Sequence, residues 1–362
     1  MTQLDNEPVP ACSPVVNAFV VDEAPRCPHR WSQHRASRDG IAARWTEETP
    51  RQSGQTEAVT PARYRQITGM ALLALAVIVV TGTAVRLTES GLGCSDWPTC
   101  EENQLIADFS LHPMIEFINR VFTGFVAVAV MVAVLGSLFR IPRRADLTWL
   151  SLGLVAGVIG QIVLGAFVVK SHLNPWLVLN HFLLSMLLVA NATVLHARAG
   201  FDPAPRPRCG RPYRWPITIL AIAAIIAGTF VTGSGPHTGS YDGDNIERLP
   251  FDVPDIARVH GGIVIALVLV VIATMWHLNR IGAPESEQWR GRLVLASLIL
   301  QAGTGYTQYF TGVPVLLVGF HILGATLTWI AILWFHLDTS PEPVELGDKR
   351  GMLADEPSIL VS

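Results

Sequence analysis

Residues 67–85 read ITGMALLALAVIVVTGTAV, a run without a single ionisable side chain. About 20 such residues form an α-helix long enough to cross a hydrocarbon core of ~30 Å. The pattern repeats along the chain, with runs at 114–139, 147–169, 175–197, 215–233, 256–277, 291–310 and 313–336. The expectation is an all-α membrane protein with eight transmembrane helices.

Composition agrees. The chain has 362 residues, of which 50% are hydrophobic and 15% charged, with a net charge of -3 and a mean hydropathy of +0.38. Soluble domains carry roughly 25% charged residues, so the deficit points to lipid as the solvent. No basic stripe interleaved with aromatic residues occurs, which argues against nucleic acid as a partner.

Residues 1–62 are rich in Pro, Arg, Glu, Ser and Thr and hold no long apolar run. They read as a disordered, water-exposed tail without a secretory signal. Cys27, His29 and His34 fall there, lacking the second ligand pair that a zinc site needs. A second polar tail occupies 339–362.

Positive charge sets the orientation, because short cytoplasmic loops accumulate Lys and Arg. Arg63 and Arg65, then Arg140, Arg143 and Arg144, then Arg198, Arg206, Arg208, Arg211 and Arg214, then Arg280, Arg290 and Arg292 fall on one side of the predicted membrane. The opposite connections are nearly free of cations, and one carries Asp242, Asp244, Glu247, Asp252 and Asp255. A cell-membrane protein with both termini in the cytoplasm follows. Cys94 and Cys100 then share the first external loop, where a disulfide is favoured over two free thiols, whereas Cys209 lies inside.

The second half of the chain resembles the first. At an offset near 140 residues, Gly82-Thr83 aligns with Gly228-Thr229, Ile115 with Ile256, Asn119 with His260, Gln161 with Gln301, Gly165 with Gly305 and His181 with His321. This predicts two pseudo-symmetric four-helix bundles, at 63–200 and 201–338, of parallel topology.

Polar residues inside a span are costly and mark functional positions. Of eleven histidines, His29 and His34 belong to the tail, and His196, His277 and His336 to cytoplasmic helix ends. His181, His260 and His321 lie within the outer halves of their spans. Two histidines on facing helices of a bundle can hold a haem iron between neutral imidazoles, and His260 with His321 suit that role. A histidine bonded to a backbone carbonyl is the alternative for each. In the first half, Asn119 stands where the repeat predicts a histidine, and Glu116, three residues earlier, shares its helix face. Glu116 could act on a bound group or pair with Arg120, four residues on.

Six segments carry a resemblance to the haem A synthase family: GTAVRLTESGLGCSDWPTC at 82–100, IEFINR at 115–120, LNPWLVLNHFLLSM at 173–186, VTGSGPHTG at 231–239, IARVHGG at 256–262 and GFHILGA at 319–325. The resemblance implies oxidation of a methyl group of haem O to the formyl group of haem A, with oxygen from water and haem b as cofactor. It implies haem b on His260 and His321, substrate haem on His181 beside Asn119, Glu116 as the catalytic carboxylate, and Cys94 with Cys100 as the family's cysteine pair. Haem O synthase and cytochrome oxidase assembly factors are the implied partners. Asn119 departs from the expected histidine. A two-haem electron-relay cytochrome and a haem carrier are the competing functions; the first needs paired histidines in both halves, the second needs no carboxylate.

Overall fold

A computed structural model describes residues 58–94, 97, 99–100, 106–201, 211–240 and 246–337. Cys12, Cys27, His29, His34 and Cys209, the arginines at 206 and 208, the acidic residues at 242 and 244, and the C-terminal tail lie outside this set.

Eight helices make up the described residues: α1 (Pro61–Leu87), α2 (Leu111–Phe139), α3 (Ala145–Lys170), α4 (Pro175–Ala199), α5 (Arg214–Ser234), α6 (Val253–Arg280), α7 (Glu285–Phe310) and α8 (Val315–Leu337). Local chemistry sets several of their ends. Thr60 caps α1 by accepting from the Arg63 N–H, with Pro61 in the first turn, and Asn174 caps α4 by accepting from Trp176 N–H at 3.1 Å, followed by Pro175. These are the residue types that satisfy orphan N–H groups at helix starts.

Seven of the eight are long and apolar enough to cross a membrane; α7 is not. Its first turns carry Glu285, Glu287, Arg290 and Arg292, and farther on come Gln301, Thr304, Thr307 and Gln308. The expectation of eight transmembrane helices is thus met by eight helices, of which seven have the length and hydropathy of a span. The 26 residues of α7 still give a rod of about 39 Å at 1.5 Å per residue. Thr304 and Thr307 return their hydroxyls to the carbonyls of Leu300 and Gly303 (2.9 and 2.8 Å), which lowers the cost of placing them among apolar neighbours.

Helix α1 packs on α2 and α4, with α3 closing against both. Likewise α5 packs on α6 and α8, with α7 against both, while α4 and α8 meet across the middle. Within each set the second and fourth helices lie diagonally, without backbone contact. Tyr64 is fully buried between α2 and α3: Gly136 leaves room for its ring, and its hydroxyl lies 2.9 Å from Ser151 Oγ. Glycine at such a crossing permits close helix approach, the usual basis of packing in lipid. Leu73, Phe125, Trp149, Leu300 and Leu316 point outward, each more than half exposed, as expected where lipid rather than water surrounds the helices.

The basic residues gather at one end. Arg140 and Arg144 both donate to Phe201 O, and Arg144 also pairs with Asp146 at 2.6 Å. At the same end of the second set, buried Glu287 receives Arg214 and the Tyr213 hydroxyl, both at 2.7 Å, and Arg211. The opposite end is tied by backbone: Gly91 N–H donates to Gly239 O at 2.8 Å. There Arg86 donates to His237 O (2.9 Å) and Thr232 O (3.1 Å), and His237 Nε2 reaches Val313 O at 2.9 Å. The loops after α1, α5 and α7 therefore form one connected rim.

Candidate functional site

Cys94 and Cys100 are joined by a disulfide, and both are almost fully buried against Ala107 and Phe117. The start of α2 holds this loop. Glu116 Oε2 accepts from Cys94 N–H at 2.9 Å, its Oε1 accepts from Arg120 Nη2 at 2.6 Å, and Arg120 Nη1 donates to Thr99 O at 2.9 Å. One carboxylate and one guanidinium thus grip both ends of the disulfide loop. Gly93 is obligatory here: a Cβ would stand 2.6 Å from the backbone of His112. The Glu116–Arg120 pair expected as an alternative is present, and the carboxylate also carries the loop.

Below this rim, His260 and His321 face each other from α6 and α8 with ring centroids 6.4 Å apart and planes at 78°. Two imidazole–metal bonds of about 2 Å and the half-rings behind them account for such a separation. His260 Nδ1 lies 3.0 Å from Ala224 O. A carbonyl only accepts, so Nδ1 carries the proton and the Nε2 lone pair is free for a metal, the usual support for a ligating histidine. His321 Nδ1 is buried without a hydrogen-bond partner. Each ring lies against a glycine: a Cβ at Gly228 or Gly305 would stand 3.2 Å from His260 or His321. Among the described residues no three His, Cys, Asp or Glu side chains converge, and this pair brings two imidazoles together. Two opposed imidazoles, one orphaned nitrogen and glycine-lined walls fit a planar macrocycle with axial ligands.

The first half repeats part of this. His181 on α4 lies against Gly165 (3.4 Å from a Cβ built there), and its Nδ1 is buried and unpartnered. Gln161 Nε2 braces α4 through His181 O (3.0 Å) and Ser185 Oγ (2.7 Å). Asn119 on α2 accepts from the Thr81 hydroxyl at 2.9 Å. Neither Asn119 nor Glu116 hydrogen-bonds to His181. The structure thus brings His260 to His321 and Glu116 to the cysteine loop, and leaves His181 Nδ1 without a hydrogen-bond partner.

Two histidines that the sequence reading assigned only to helix ends, His196 and His336, each meet a threonine. His196 Nδ1 lies 3.3 Å from Thr68 Oγ1, and His336 Nδ1 2.9 Å from Thr218 Oγ1. Their spacing along the chain equals that of His181 and His321, a signal that was available. Arg86 and His237, the rim ties, carried no such signal, since what they bind is backbone.

The sequence model of the COX15-CtaA family, described as cytochrome oxidase assembly protein, matches residues 65–108 and 105–333. The chain is 23% identical over 280 residues to a protein named heme A synthase from Halalkalibacterium halodurans, covering 72% of this chain and 93% of that protein. It is 24% identical over 321 residues to a heme A synthase from Rhodospirillum centenum (73% and 85%), and 24% over 281 residues to one from Shouchella clausii (72% and 92%). The family match begins in α1, runs through the cysteine loop and ends in α8, and includes Cys94, Glu116, His181, His260 and His321; this chain belongs to the COX15-CtaA family of cytochrome oxidase assembly proteins.

Proposed function

We propose that the chain is a haem A synthase, converting the methyl group of haem O to the formyl group of haem A in the cell membrane, with both termini in the cytoplasm. The observation that carries this reading is the inequality of the two halves: His260 and His321 oppose each other at 6.4 Å, whereas His181 has Asn119 and Glu116 on the partner helix. Two pseudo-symmetric four-helix bundles divide the work. In residues 201–338, His260 and His321 would hold haem b, and in residues 63–200 His181 would receive the haem O substrate. The polar segments 1–62 and 339–362 flank them.

Removing two electrons and a proton from the haem O methyl leaves a cation delocalised into the porphyrin, and water adds to give an alcohol with release of a second proton. A second round gives a geminal diol, which loses water to the aldehyde. Bound haem b would supply the route by which electrons leave. Glu116 stabilises the developing positive charge or orients the water, its carboxylate fixed by Cys94 N–H and Arg120 so that it need not reorganise during reaction. The Cys94–Cys100 loop covers the start of α2 and limits access to it.

Pigment extraction from the purified protein, expressed in cells that make haem O, tests the proposal. Haem b together with haem O or haem A is expected. Haem b alone in equimolar pairs would favour an electron-relay cytochrome, and haem O that is never converted would favour a carrier.

A further inference from the structure

At one matched place the two halves differ by three coordinated changes. In the second half, His260 lies over Gly228 and donates from Nδ1 to Ala224 O. The register that aligns Gly82 with Gly228 aligns Thr81 with Ala227 and Ile78 with Ala224. In the first half the imidazole is replaced by the shorter Asn119, Ala227 by Thr81, and the carbonyl that orients the imidazole by one that faces a hydroxyl: Thr81 Oγ1 lies 3.3 Å from Ile78 O and 2.9 Å from Asn119 Oδ1. The consequence is space. A Cβ at Gly228 meets the His260 ring at 3.2 Å, whereas a Cβ at Gly82 meets nothing within 4 Å. With its oxygen turned to Thr81, Asn119 leaves an amide nitrogen that has no partner among the described residues.

We infer that the first half holds its haem iron through His181 alone, and that Gly82, Thr81 and Asn119 form an exchangeable position for a small ligand, of the size of water, cyanide or imidazole, hydrogen-bonded by the Asn119 amide. The inference rests on the proposal that this half binds haem, and it deepens it. An amide oxygen is a poor ligand for haem iron, while an amide N–H is a good donor to a small molecule or anion held there. The second half offers no such position, because both His260 and His321 would be engaged in holding its haem. Small ligands therefore distinguish the halves: they bind in the first and are excluded from the second. The same opening lets a loosely held substrate leave after conversion, since one imidazole bond is broken rather than two.

The test uses the full-length purified protein loaded with haemin to saturation, followed by optical and electron paramagnetic resonance spectra during cyanide and imidazole titrations. Two haems are expected, one low-spin and indifferent to either ligand, the other high-spin and converted to low-spin by both. Asn119→His makes the second haem low-spin without additions and removes its response. Asn119→Leu keeps it high-spin but weakens cyanide roughly tenfold, the loss of one hydrogen bond to a charged group. A second haem that is already low-spin and unresponsive in the unaltered protein overturns this inference while leaving first-half haem binding intact. Uptake of only one haem, or a second haem unaffected by His181→Ala, overturns both.

Discussion

Replacing Glu116 separates its two tasks, because glutamine keeps the shape and loses the charge. The Glu116 side chain is 7% exposed and Arg120 19%, so their pair is largely withdrawn from water. Removing one member of a buried pair costs about 3–5 kcal/mol, and the partial exposure of Arg120 places the expected cost of Glu116→Ala near the low end, about 3 kcal/mol. The Cys94 N–H also loses its acceptor. In Glu116→Gln the amide oxygen accepts from either Cys94 N–H or Arg120 while the NH2 faces the other donor, so one hydrogen bond and the ion pair are lost, about 1.5–3 kcal/mol. The loop should therefore loosen less in Glu116→Gln, which keeps one of the two acceptors, than in Glu116→Ala, which keeps neither. A preorganised charge near a developing cation contributes a factor of ~10²–10³ in rate, so both variants should lose haem A formation by that factor while keeping the haem b spectrum. The assay is haem extraction and chromatography from cells supplying haem O, run beside thermal unfolding in detergent and thiol labelling of the loop. If Glu116→Gln makes haem A at the unaltered rate, the charge plays no part in turnover, and the carboxylate serves only to anchor the cysteine loop.

Replacing His260 or His321 with Ala should abolish the low-spin haem spectrum, whereas His277→Ala should leave it unchanged; an intact spectrum in both ligand variants removes the axial assignment. Gly228→Val places branched carbon against an imidazole that already lies 3.2 Å from a Cβ there, so haem content should fall, while Gly303→Ala, which meets nothing within 4 Å, should be silent; equal haem content in the two would refute the cradle. A membrane-impermeant thiol reagent should label Cys94 and Cys100 only after reduction and Cys209 only after permeabilisation, and labelling of Cys209 from outside would reverse the orientation.

What the sequence determined by itself is what depends on a residue and its near neighbours. Hydropathy over about 20 residues is a local property when lipid is the solvent, so the eight helices were legible, though 67–85 grew to Pro61–Leu87 once capping by Thr60 was included. Helix α7 was located too, but its polar turns set it apart from the other seven. His260 and His321 were legible as intramembrane histidines, and they stand on α6 and α8 with ring centroids 6.4 Å apart. Only the tertiary structure decided contacts that depend on how helices rotate and how loops fold back. It turned Glu116 toward Cys94 N–H as well as Arg120, joined Arg86 to the carbonyls of Thr232 and His237, and left open space over Gly82 where the matched glycine meets a ring. Backbone groups are the same in every residue, so no pattern of side chains announces which carbonyl a distant arginine or histidine will find. The difference between the halves at Asn119 was visible as a letter; that Thr81 holds it and that a Cβ at Gly82 meets nothing within 4 Å follow from packing.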